Sequence, residues 1–282
     1  MPIATLKKLM NEAKEERRCI PAFHVASLDM IRAAVRASER LDYPVVIQIT
    51  EKFLSYAPLE LIGPAMVTAA ENASTMICVN LDMGHYEALF QQAMDLGFTS
   101  VMYDGSRKSL QDNIRFTRKV TEMAEPYGVS CEAVLHGREA EDTDADRRTL
   151  TDPSIVKEFC EETGIDGLAV SVGNMPRQKV PEGGLDIQRL KKIAGQTRLP
   201  LTLQGGSGIS DTDCRKAIQA GVSKINYATE NFRAITRAAE AYLHEAEEAS
   251  YLEMKRKMLQ SMYERAIRRI RLLSEPVKGR AE

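Results

Sequence analysis

The chain has 282 residues, 44% hydrophobic and 28% charged, and its 17 Gly and 11 Pro are ordinary usage, which excludes collagen-like, low-complexity and disordered chains. Lys+Arg 38 against Asp+Glu 40 leaves a formal charge of −2, so neither nucleic acid nor a membrane surface is an expected partner. No apolar run approaches the roughly 18 residues of a membrane span, and five scattered Cys without a C-x-x-C point to a reducing cytoplasm, not to a disulfide framework or zinc ribbon.

Strand-length apolar runs alternate with helical patterns along the whole chain. An amphipathic, charged helix opens it over 1–18, unlike a signal peptide. Strands are predicted at 19–25, 43–50, 76–82, 99–104, 129–135, 167–172, 201–203 and 224–227. Helices fall between them, the fifth closed by Pro126 and Gly128, the sixth opened by Asp152-Pro153 as N-cap and first residue. From about 231 to 275 the pattern is helical. The polar segment 139–148 is expected to be a solvated loop over the fifth strand.

Eight strand–helix repeats in about 250 residues match a closed (β/α)8 barrel. No Pro/Gly/Ser linker supports an open sheet with a second domain. The expectation is α/β: a single TIM-barrel domain over 1–282, with an extra N-terminal helix and a helical C-terminal extension.

A barrel presents its chemistry at the C-terminal ends of the strands. His24, Thr50, Asp82, Asp104, Glu132, Gly173-Asn174, Gln204 and Asn226 to Thr229 all fall there. After strand seven, Gln204-Gly-Gly-Ser-Gly208 offers backbone N–H groups and the Ser207 hydroxyl, and strand eight adds Asn226 and Thr229. By itself a Gly-rich turn is only a turn. Placed after strands seven and eight of a barrel, it is expected to bind phosphate.

These motifs resemble the class II fructose- and tagatose-bisphosphate aldolases. The resemblance rests on Pro21-Ala-Phe-His-Val25, Asn80-Leu-Asp-Met-Gly84, 97–106, Asp112-Asn-Ile114 with Thr117, Thr151-Asp-Pro153, Gln204-Gly-Gly-Ser-Gly208 and Lys224-Ile-Asn-Tyr-Ala-Thr229. It implies that Gly205, Gly206, Ser207, Asn226 and Thr229 hold a ketose phosphate, with Thr50 in support and Gly173 and Gln204 nearby. It also implies that Asp82 is the acid/base carboxylate, and that the protein is a homodimer or homotetramer. The apolar stripe Met254, Met258, Met262 and Ile267 is a candidate interface, or else a cover for the barrel's own helices.

The departures fall on the family's zinc ligands. Its three histidines correspond here to Met83, to Gln204 and, in an ungapped alignment of the strand-six loop, to Pro176, and a family Glu near strand five corresponds to Val134. A thioether, an amide and a proline do not make a zinc site, so no metal and no cofactor is expected.

Without zinc, the developing oxyanion needs hydrogen-bond donors, a cation or a Schiff base. The candidates are His24 (where the family usually has Asn), His85, His136, Arg177 and Lys179, with Lys179 the Schiff-base candidate. A relocated metal site on His24, His85 and His136 is a further alternative. Asp82, next to Met83 and without a metal, is expected to have its pKa raised by desolvation. The expected activity is metal-independent aldol or retro-aldol chemistry on a phosphorylated sugar or ketone. The alternatives are a sugar-phosphate isomerase or epimerase, and a non-catalytic sugar-phosphate-binding or partner subunit.

Overall fold

The computed structural model describes residues 3–136, 150–174 and 184–277. Eight parallel strands close in sequence order: β1 Ile20–His24, β2 Val45–Thr50, β3 Ile77–Gly84, β4 Ser100–Tyr103, β5 Ser130–Leu135, β6 Gly167–Val170, β7 Leu201–Leu203 and β8 Val222–Tyr227. β8 returns to pair with β1, so no edge is left open. The expected (β/α)8 architecture is the one observed.

Helices α1 Leu6–Glu15, α2 Leu28–Leu41, α3 Leu59–Glu71, α4 Glu87–Asp95, α5 Leu110–Ala124, α6 Val156–Thr163, α7 Ile187–Ala194 and α8 Asp211–Gln219 surround the barrel. Several start on side chains that accept a free first-turn N–H: Thr5, Ser27, Ser109, Asp186 and Ser210. α6 ends on Gly164, whose φ of 66° is left-handed, a conformation that glycine adopts without steric cost.

The C-terminal region is not one helix. It divides into α9 Thr229–Glu245 and α10 Tyr251–Ser274, the second started by Ser250 accepting the Glu253 N–H. α10 packs along α2 and α9 and buries Met262, Ala266, Ile270 and Leu273. Of the apolar stripe of the sequence, Met262 is buried and Ile267 packs partly buried against the core, while Met254 and Met258 are only half-buried. The exposed large apolar side chains of this hairpin are instead Leu243, Tyr251 and Leu252 at its tip. No described helix is long and apolar enough to cross a membrane.

Two interiors result. Between strands and helices lies a continuous apolar shell that includes Phe23, Phe90, Phe98, Phe159 and Tyr227. Inside the barrel, alternate residues bring together His24, Gln48, Asn80, Asp82, Glu132, Thr202, Lys224 and Asn226, all buried. Met102, Val134 and Ala169 form a small apolar cluster there.

Candidate active site

Register sets the layers. His24 lies opposite Gln48, Gln48 opposite Asn80, and Thr50 opposite Asp82, so β1, β2 and β3 raise their polar residues together. Asp82 Oδ2 lies 2.8 Å from His24 Nε2, and Asp82 Oδ1 accepts from Gln204 Nε2 at 3.2 Å. Both oxygens of a fully buried carboxylate are thus engaged. Gln204 is half-buried, and its amide also reaches the Met102 sulfur at 3.5 Å.

The expected pKa of Asp82 is reversed. Burial pushes the carboxyl up, but the His24 hydrogen bond and charge, the charge of Lys224 and the Gln204 amide together outweigh it and hold Asp82 below its ordinary value. The sequence could show the apolar neighbour Met83. It could not show that His24, 58 positions away, donates to the same carboxylate.

Residues that the sequence argument passed over support His24. Asn80 Nδ2 donates to Gln48 Oε1 at 3.1 Å, and Gln48 Nε2 lies 3.3 Å from both ring nitrogens of His24. Equal separation from the two nitrogens without a clash requires the amide to lie over the ring face. The Nδ1 atom faces the Tyr227 carbonyl oxygen at 3.4 Å, and the Phe53 ring packs edge-on against the imidazole at 6.2 Å between centroids. The signal for Gln48 and Asn80 was present in the sequence: each stands two residues before Thr50 or Asp82, on the same strand face.

Deeper in the barrel, Lys224 Nζ meets Glu132 Oε2 at 2.5 Å, and the Thr202 hydroxyl donates to Glu132 Oε1. Glu132 is therefore committed to an internal ion pair. Asp104 is likewise a structural acceptor, taking the Ser106 N–H at 3.1 Å.

The predicted phosphate cradle comes together at the ends of β7 and β8. Gly205 has a left-handed φ of 69°. Gly206 is required for another reason, since a Cβ there would meet Ile225 Cγ2 at 2.4 Å and the Asn226 carbonyl oxygen at 2.9 Å. Ser207 Oγ accepts the Glu230 N–H at 3.1 Å in the first turn of α9, which leaves its own proton to donate. Asn226 is 2% exposed, and neither its amide nitrogen nor its oxygen has a partner among the described residues. A buried amide left unpaired is costly, which fits a group whose partner is a ligand. Thr229 begins α9 beside it, and Thr50 is buried at the end of β2.

Gly173 follows β6 with φ 98°. Next to it, Asn174 ties β6 to β7 by donating to the carbonyls of Val170 and Gln204 at 3.1 Å. A cavity of about 20 Å³ between Met83, His136, Ser171 and Gln204 is large enough for a single water.

His85 does not join this cluster. It is half-exposed at the rim and pairs with Glu51 at 2.9 Å. Lys179, Arg177, position 176 and the loop 139–148 lie outside the described residues. No three His, Cys, Asp or Glu side chains converge as a metal site among the described residues, so the three-histidine alternative has no support in this geometry.

The closed eight-stranded fold is that of the aldolases. The chain belongs to the class-II fructose-bisphosphate aldolase family, whose sequence model matches residues 4–276. It is 33% identical over 251 residues to a fructose-bisphosphate aldolase of Staphylococcus epidermidis, covering 86% of this chain and 87% of that one. It is 30% identical over 284 residues to the protein YdjI of Escherichia coli K12, covering 99% and 100%. The crystal structure of that YdjI aldolase superposes with a TM-score of 0.86 at 29% identity, again over 99% and 100% of the two chains.

The family implies a divalent metal, and the residues present do not fit one. Met83 offers a thioether. Gln204 offers a neutral amide already donating to Asp82, where zinc takes imidazole, thiolate or carboxylate. Met83 nevertheless keeps a left-handed φ of 54° at a register shift in β3, an uncommon conformation for any residue other than glycine.

Proposed function

We propose that the chain is a single-domain, metal-independent aldolase-type lyase, making or breaking a carbon–carbon bond in a phosphorylated sugar or ketone, with Asp82 as its acid/base. The observation that carries this reading is the fully buried Asp82 carboxylate, with His24 on one oxygen and the displaceable Gln204 amide on the other. In the cleavage direction, a substrate hydroxyl displaces Gln204 from Oδ1 and gives its proton to the carboxylate. The bond to the neighbouring carbon breaks, and its electron pair moves through the substrate to the carbonyl oxygen as an enediolate. Losing the Gln204 bond removes one of the interactions that depress Asp82, so substrate binding raises its basicity when it is needed. The freed amide of Gln204 is then a donor for the developing oxyanion.

His24 holds the carboxylate's orientation, supported by Gln48 and Asn80. Gly205, Gly206, Ser207, Asn226 and Thr229 bind the phosphate, with Thr50 and Gly173 framing the pocket. The balanced charge and the reduced-cysteine composition favour a cytoplasmic protein whose partner is this small molecule. The exposed Leu243, Tyr251 and Leu252 favour a homo-oligomer.

Asp82→Asn tests the assignment because it keeps the shape and removes the titrating group. Turnover of phosphorylated ketoses is expected to fall about 10²–10⁴-fold, with phosphate-ligand affinity little changed. A variant that folds, binds and turns over like wild type makes Asp82 structural. Metal independence is checked separately. Turnover is expected to survive exhaustive chelation, and loss on chelation with recovery on adding zinc overturns it.

A further inference from the structure

At the opposite end of the barrel, where the strands begin, lies a cavity of about 620 Å³. Lys14 from the end of α1, Arg17 and Arg18 from the link into β1, Lys191 from α7 and Lys216 from α8 all line it, and among the described residues no carboxylate does. Lys216 is paired with Asp213 at 3.4 Å and Arg18 with Glu16 at 3.0 Å, and Lys14 donates to the Arg198 carbonyl at 2.6 Å. Arg17 and Lys191 have no ion pair among the described residues. The excess of positive charge is therefore uncompensated among the described residues.

A helix C-terminus favours a cation, and Lys14, Lys191 and Lys216 each stand in the last turn of a helix. That accounts for three lysines pointing the same way. It does not account for Ser223 at the start of β8, which also lines the cavity, is wholly buried, and has a hydroxyl with no partner among the described residues. The Nε of Arg18 is likewise buried and unpaired. Nor does it account for Arg17, held at a left-handed φ of 55°. Its N–H donates to the Lys14 carbonyl at 3.2 Å, and its own carbonyl accepts the Val277 N–H at 3.0 Å. An uncommon backbone conformation, pinned from both sides, sets this arginine at the wall that holds the Ser223 hydroxyl and the Arg18 Nε.

We infer that this cavity is a second, non-catalytic site for a small molecule carrying two or more phosphate charges. Guanidinium forks and a hydroxyl donor suit phosphate oxygens, and the volume falls within the range of small-molecule sites, about 300–1,000 Å³. The site is at the opposite end from Asp82 and the Gly-rich cradle, so it stands whether or not the proposed chemistry does.

Calorimetric titration of inorganic pyrophosphate into the full chain tests it. Arg17→Gln with Lys191→Gln is expected to weaken one binding event by about tenfold or more, while a Ser207→Ala variant retains that event. Ser223→Ala supplies the second measurement. If the hydroxyl awaits a ligand, its loss leaves the thermal midpoint of the free protein unchanged or higher, and reduces the rise that pyrophosphate produces. Pyrophosphate binding that the Arg17/Lys191 variant leaves intact overturns the site. So does the absence of binding by wild type, or a Ser223→Ala protein that is destabilised when free.

Discussion

The inside of the barrel and the shell around it are equally buried and chemically opposite. The shell is filled by aromatic and aliphatic side chains such as Phe90 and Phe159. The barrel interior holds a buried ion pair, a His–Asp contact and three amides, with one small apolar cluster. Apolar contacts in the shell are non-directional, and many sequences fill them equally well. Polar groups taken out of water must find particular partners, which fixes one arrangement. In this molecule, then, the shell supplies the driving force for folding and the interior specifies the geometry from which chemistry is built.

The largest expected difference between the two lies in how their losses are repaired. Lys224→Met leaves Glu132 buried and unpaired, and is expected to destabilise by about 3–5 kcal/mol in chemical denaturation. The double variant Lys224→Met/Glu132→Leu is expected to recover most of that, because neither charge then remains to be desolvated. Phe159→Ala in the shell costs a similar amount, about 3–5 kcal/mol, but has no single partner whose removal restores it. Equal behaviour of the two regions in these cycles would erase the distinction drawn between them.

A smaller effect is expected where the two regions meet. Gly206 packs against Ile225 and Tyr227 of the shell while its turn faces the barrel mouth. Gly206→Ala is expected to cost about 1–3 kcal/mol from overpacking. It should also weaken phosphate-bearing ligands, since the turn must move to admit the Cβ. A stability loss without a binding loss would detach the cradle from its packing support.

The smallest effect concerns four cysteines of the strands and helices, Cys78 on the inner face of β3 and Cys131 on the outer face of β5 among them. Burial pushes the Cys78 and Cys131 thiols up to about 12, and those of Cys160 and Cys214 to about 11. Thiols raised in this way stay protonated in the folded chain while the unfolded chain ionises near about 8.5. Their contribution to stability is complete below that value and is lost as pH rises toward the folded values. Denaturation midpoints are expected to fall above about pH 9, and the native protein should show no fast-reacting thiol at neutral pH with an aromatic disulfide reagent. Rapid labelling would show the shell to be more open than its packing implies.

Much of this protein was written locally. The strand–helix alternation, the breakers at Pro126 and Gly128 and the cap at Asp152 are short-range effects, so they gave the barrel and nearly all its elements from the sequence. The helical pattern over 231–275 did not place the break at 246–250, which depends on how α10 folds back along α2 and α9. Strand-end position likewise marked His24, Asp82, Gln204 and Asn226 as candidates. What it could not decide was how they act on one another. The direction of the Asp82 shift depends on His24 and Gln204, which lie 58 and 122 positions away and are brought within hydrogen-bond reach only by barrel closure. His85 and His24 look alike as strand-end histidines, yet one is a rim residue paired with Glu51 and the other is buried against a carboxylate. Propensity and periodicity act over a few residues, whereas desolvation and Coulomb energy depend on distances through space, and those exist only once the eighth strand has closed on the first.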